Sequence, residues 1–124
     1  MTRNMELVRE ILLKVADAPE PLRLGDLVPQ GGDRDAVAYH VQMLVEEVGF
    51  MRGINADTMS GRNWIELQLT WHGQDFLDSI RDPTVWQKTK DGALKLGGVS
   101  LDVLVGIAKE YAKAEVKKRL GFDL

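Results

Sequence analysis

The residues of this chain best suited to recognising a ligand are three arginines, two amides and a tyrosine. Arg34, Tyr39 and Gln42 fall, with Ala38 and Glu46, on one outward face of a helix expected from Asp33 to Gly49. Arginine pairs with guanine or phosphate, glutamine with adenine, and tyrosine with phosphate. Arg52, Arg62 and Asn63 fall in the segment that follows, where arginines at a hairpin tip can enter a minor groove or pin phosphates. The chemistry suggested is contact with duplex DNA. Charge stands against it: Asp33, Asp35, Glu46 and Glu47 against Arg34 alone leave the helix at −3. Two of those acids sit at the N-terminus, where a reading helix usually meets DNA. The same residues also read as a helix packed on one side and solvated on the other, followed by a solvated turn.

Other chemistry finds less support. A metal site or a histidine general base needs converging partners. His72 and Asp75 are three apart and can face each other on a helix, and Asp75, Asp78 and Asp82 share a face. The simpler reading makes His72 and Asp75 part of a helix start and sets His40 beside Tyr39 at the margin of the core. With no cysteine, disulfides, thiolate metal sites and thiol nucleophiles are excluded. Gly31-Gly32 and Gly97-Gly98 lack the Lys and Ser/Thr of a phosphate loop, and no serine sits in a nucleophile elbow. An enzyme is not expected, and neither is a cofactor or metal.

The elements that would position these residues follow from hydrophobic period and caps. A first helix is expected over Met5–Ala16 from Leu7, Val8, Ile11, Leu12 and Val15, capped by Thr2 or Asn4 and ended by Asp17–Pro21. Residues 22–32 lean to a short strand and a turn, with a helical turn as the alternative. In the helix from Asp33, Val37, Val41, Leu44, Val45 and Val48 form the buried stripe, and Gly49 suits a left-handed cap. Phe50–Ile54 and Trp64–Thr70 read as strands joined by the turn-forming Asn55–Asn63, with Ile65, Leu67 and Leu69 on one face. Thr70 caps a helix burying Phe76, Leu77 and Ile80. Asp82-Pro83 starts another, with Val85, Trp86, Ala93 and Leu96 as its stripe. Ser100 caps a last helix, Leu101–Leu120.

Helix, strand, loop, strand, helix is the back half of a winged-helix domain. The expected fold class is α+β, a winged-helix-like domain over residues 1–82 with a C-terminal helical extension over residues 83–124. Leu101, Leu104, Ile107, Ala108 and Tyr111 give the last helix an apolar band too wide for light attachment. It either packs deeply on its own domain or pairs with a second copy in a dimer.

Net charge is −3 and uneven: residues 1–87 hold 8 Lys/Arg against 14 Asp/Glu, and residues 88–124 hold 8 against 5. DNA binders usually carry a basic footprint, so any contact with DNA rests on local arginines or the basic tail. The N-terminal stretch has acids within its apolar pattern and no small-residue cleavage site, unlike a signal peptide. No apolar run approaches the roughly 20 residues that span a bilayer. The expectation is a cytoplasmic protein without a membrane partner, whose partners are duplex DNA, a second copy or another protein.

The blocks YHVQMLVEEVGFMRG and LTWHGQDFLDSIRDPTVWQKTKD resemble an uncharacterised family of small bacterial and prophage proteins, a domain of unknown function. The likeness runs through most of the chain, including the MELVREILL opening. More distantly, the Leu-Thr-x-x-Gly turn after the hairpin is similar to winged-helix regulators. The resemblance implies the fold and a phage or mobile-element setting. It assigns no catalytic or ligand residue.

Overall fold

The computed structural model describes residues 2–121. They form two compact units, divided between Gln74 and Asp75 inside a helix. The architecture is α+β: six α-helices, one π-helical turn and a two-stranded antiparallel hairpin among the described residues.

The first unit opens with α1, Met5–Asp17, whose first turn is capped by the Asn4 side chain accepting from the Glu6 and Leu7 N–H groups. Val8, Ile11, Leu12 and Val15 are its buried face, each worth roughly 1.5–3 kcal/mol of burial. Residues 22–32 combine both alternatives. Leu22 makes a one-residue antiparallel bridge with Leu67, through N–H to carbonyl bonds of 3.1 and 2.9 Å. A single helical turn follows, α2, Leu24–Leu27, instead of the expected turn without helix. Leu24 and Leu27 are buried three apart, and the Asp26 carboxylate accepts from the Arg23 N–H at 2.8 Å, which favours the helical turn.

The long helix is α3, Arg34–Gln42, with Asp33 as its cap, and continues as a π-helical turn, Met43–Glu47, rather than as α-helix to Val48. Val37, Val41 and Leu44 are buried as expected, but Val45 and Val48 are only half-buried, because the wider π-turn rotates the face. Gly49, at φ 69°, ends it, and the Phe50 N–H reaches back to the Leu44 carbonyl at 2.9 Å.

The hairpin pairs β1, Met51–Asn55, with β2, Trp64–Leu69. Its register slips between Arg52 and Ile54, so that Gly53 faces Glu66 and Leu67 together, a β-bulge. Glu66 is the bulged residue, at φ 55°. The bulge breaks the expected alternation: Trp64 and Leu67 are buried, while Ile65 and Leu69 are half-buried. Beyond the strands, Thr58 and Gly61 close the tip with reciprocal backbone bonds of 2.9 and 3.1 Å. α1 packs on β2 and α3, and α2 packs on α3 and β2. The chain order of α1, bridge, α2, α3, β1 and β2 is consistent with a winged-helix-like arrangement.

Thr70 caps α4, Trp71–Ile80, accepting from the Gly73 N–H at 3.1 Å. Phe76, Leu77 and Ile80 are buried as expected. In the second unit, Asp82 caps α5, Pro83–Lys95. Its buried residues are Val85, Trp86 and Thr89. Leu96 lies beyond its end and is exposed, so it leaves the expected stripe. α6, Leu101–Leu120, runs from the Ser100 cap to a left-handed Gly121 and packs along α5. No helix among the described residues is long and apolar enough to cross a membrane.

Candidate nucleic-acid interface

Four of the six proposed DNA-contacting residues meet in one hydrogen-bonded cluster. The Arg34 guanidinium leaves the first turn of α3 and donates to the Arg62 carbonyl at 3.0 Å, with Asn63 Oδ1 at 3.5 Å. The Arg62 guanidinium returns from the hairpin and donates to Gln42 Oε1, two turns further along α3. Gln42 Nε2 then donates to Glu46 Oε2 at 3.1 Å. The cluster ties the tip end of the hairpin to the helix. It also uses both ends of the Gln42 amide, the group that would otherwise read an adenine.

The hairpin side of the cluster is itself braced. The Asn63 N–H donates to Asp57 Oδ1 at 2.9 Å, and Asn63 Oδ1 accepts from the Trp64 N–H at 3.0 Å. Arg34 passes over Gly25 of α2, where an added methyl would lie 3.8 Å from Nη1. Arg52 is not in the cluster. It is exposed near the base of the hairpin, 3.5 Å from Gln68 Oε1 on the facing strand.

The outward face of α3 differs from expectation at one position. Ala38 is fully buried, while Arg34 and Glu46 are exposed and Tyr39 and Gln42 half-buried. Tyr39 stands edge-on to His40, ring centroids 5.3 Å apart.

His40 is buried, deeper than the core margin expected of it. Its Nε2 accepts from the Asn4 N–H at 2.8 Å, which leaves Nδ1 to donate to the Ala36 carbonyl at 2.7 Å. Nε2 thus ties the cap of α1 to α3, while Nδ1 is held within α3, and both ring nitrogens are committed. The i, i+4 spacing of Ala36 and His40 carried the signal for one of these bonds; nothing local foretold Asn4. His72 is exposed and lies against Phe50, centroids 4.8 Å apart.

Of the residues proposed for dimer contact, Leu104 and Ala108 are buried and Leu101, Ile107 and Tyr111 half-buried. Ile107 and Tyr111 lie against Gly92 of α5.

Residues 2–100 match the family described as "Hypothetical protein (DUF2513)". The chain belongs to this family. It is also similar to an uncharacterised protein of the bacterium Haemophilus influenzae, 32% identical over 123 residues that cover 97% of this chain and 99% of the relative. No solved structure matches. The family match takes in the whole helix–hairpin cluster and α5, and stops at the cap of α6.

Proposed function

We propose that the first unit of this family member is a DNA-binding module of transcription-regulator type. It would hold duplex phosphates through the arginines at the helix–hairpin junction. The supporting observation is the cluster itself, in which Gln42 and the Arg62 carbonyl hold the Arg62 and Arg34 guanidiniums at one end of the hairpin. Charges fixed before binding lose less freedom when they meet a phosphate. The first unit carries seven Lys/Arg against eleven Asp/Glu, so affinity would come from this local pair and Arg52, not from an overall field. With the Gln42 amide occupied and Asp35 and Glu46 exposed, α3 would read few bases and sequence preference would be weak. On this proposal the protein works in the cytoplasm as a binding protein, not an enzyme, with no cofactor or metal.

The test is titration with duplex DNA across a salt series. Binding at low salt should weaken steeply as salt rises, and Arg34→Ala or Arg62→Ala should each reduce the log–log slope by about 0.9. No duplex binding at low salt sinks the proposal. A second reading is a protein-interaction module that leaves DNA alone. It is favoured by apolar side chains held in solvent: Met59 at the hairpin apex, Ile54 on β1 and Trp71 at the start of α4.

A further inference from the structure

The second unit has an open groove between α5 and α6, about 720 Å³ in volume. At its floor a methyl group on Gly92 would lie 3.3 Å from Tyr111 Oη and 3.6 Å from Ile107 Cγ2. Leu96 and Val103 line it while 66% and 47% exposed, so the structure leaves two large apolar side chains in water. Gly106 also lines it, in the middle of α6. A glycine there weakens a helix, yet nothing lies within 4 Å of where its β-carbon would stand. The described chain itself gives no packing reason for a glycine at this position.

Charge identifies what would cover the groove. Lys95 lies on the α5 side and Glu110 on the α6 side. In a two-fold contact a residue of one copy meets a different residue of the other, and the same contact recurs with roles exchanged. Two copies set groove to groove about an axis equidistant from Lys95 and Glu110 bring Lys95 of each against Glu110 of the other, where it would share a carboxylate that Lys113 of the same chain holds at 3.5 Å. An unrelated partner would have to bring both charges in the matching order; a second copy has them by symmetry.

We propose that this groove is the contact surface of a two-fold dimer. Leu96, Val103 and Ile107 of each copy cover the other's apolar floor, and Gly106 lets the α6 backbones approach. The contact uses the Val103–Gly106–Ile107–Glu110 face of α6 in place of the band centred on Leu104 and Ala108, which is already buried. It does not rest on DNA binding.

Sedimentation equilibrium of the full chain tests it. The wild type should be a dimer at submillimolar concentration. Lys95→Glu and Glu110→Lys, both at exposed positions, should each weaken the dimer by about tenfold or more, since each puts two like-charged pairs in the contact. Mixing the two variants in equal amounts should restore association, because each mixed contact again pairs Glu with Lys. Gly106→Arg should be monomeric while keeping its helical signal, since open space receives the side chain. A wild type that is monomeric throughout, single variants that associate like the wild type, or a mixture that fails to recover would each overturn the proposal.

Discussion

Gly73 and Phe50 meet backbone to backbone: a methyl group on Gly73 would lie 1.9 Å from the Phe50 carbonyl oxygen. The first turn of α4 thus rests on the chain where it leaves the α3 cap and enters the hairpin. The same carbonyl accepts from the Thr70 N–H at 3.0 Å. A backbone obstacle cannot rotate away as a side chain does. Gly73→Ala should therefore destabilise the protein by about 3 kcal/mol or more, read in urea or thermal melting. A melting curve like that of the wild type would mean that α4 does not approach so closely.

Thr70 fastens the same junction from the other side. Its hydroxyl donates to the Gly49 carbonyl and accepts from the Gly73 N–H. One oxygen thereby caps α4 and satisfies a carbonyl at the end of the α3 segment. Thr70→Ala should cost about 1–2 kcal/mol, and Thr70→Ser should retain most of that. Equal loss in both variants would assign the effect to the methyl group instead.

Glu66 carries the bulge at a left-handed φ of 55°, a conformation costing a residue with a β-carbon roughly 1–2 kcal/mol. Glycine is free of that cost, so Glu66→Gly should raise stability by about 1 kcal/mol. Next to it, Leu67 is fully buried, and Leu67→Asp should unfold the first unit by burying an unpaired carboxylate. A Leu67→Asp variant that melts like the wild type would deny the burial of Leu67, and a destabilised Glu66→Gly in circular-dichroism melts would contradict the bulge.

That bulge also shows where sequence pattern stops being informative. Asn4, Asp33, Thr70, Asp82 and Ser100 each cap the helix expected after them, because a cap is settled by a polar side chain and the next three N–H groups. Strand phase is not local in that way. Ile65, Leu67 and Leu69 alternate in sequence, but the bulge resets the phase and buries Trp64 instead. The available signal was Gly53, since a glycine within a strand often marks a bulge or close approach; a methyl there would lie 2.6 Å from Leu67 Cδ2. The π-turn after Gln42 likewise escaped a 3.6-residue period. In the candidate interface, residue types nominated Arg34, Gln42, Arg62 and Asn63. Their bonding to one another depends on the tertiary approach of hairpin and helix, which no spacing in the chain specifies.

The second unit should loosen in acid. Arg119 pairs with Asp82 at 2.8 Å and Glu115 at 3.2 Å, and Lys88 reaches Glu115 at 3.2 Å. The Arg119 hydrogen bond, then that from the Thr84 N–H, holds the Asp82 carboxyl below its ordinary range. The Lys88 hydrogen bond does the same for Glu115, against an opposing effect of burial. A carboxyl depressed by folding stabilises fully above its unfolded pKa and loses that contribution as pH falls through the folded one. Arg119 is shifted upward, so its contribution is lost only in strong alkali. The vulnerable interval therefore lies below about pH 4. NMR titration should find both carboxyl midpoints below the usual carboxylate range, with α6 amide shifts moving toward random coil in that interval. Arg119→Gln should bring the Asp82 midpoint back up; an unmoved midpoint would deny the pairing.

Arg62 and Gln42 allow the structural and binding roles of the helix–hairpin cluster to be separated. Their side chains bond across 20 positions of sequence, so removing either leaves the other without this partner. Arg62→Ala and Gln42→Ala should each destabilise by about 1 kcal/mol. The double variant should cost less than the sum, with a coupling of about 0.5–1 kcal/mol in urea melts. Binding to duplex DNA should divide differently. Arg62→Ala removes a phosphate-facing charge and flattens the salt dependence, while Gln42→Ala frees the guanidinium but leaves the charge, lowering affinity with little change in slope. Additive stability losses would show that hairpin and helix are not coupled through this pair. Equal slopes in all variants would show that Arg62 serves the fold alone.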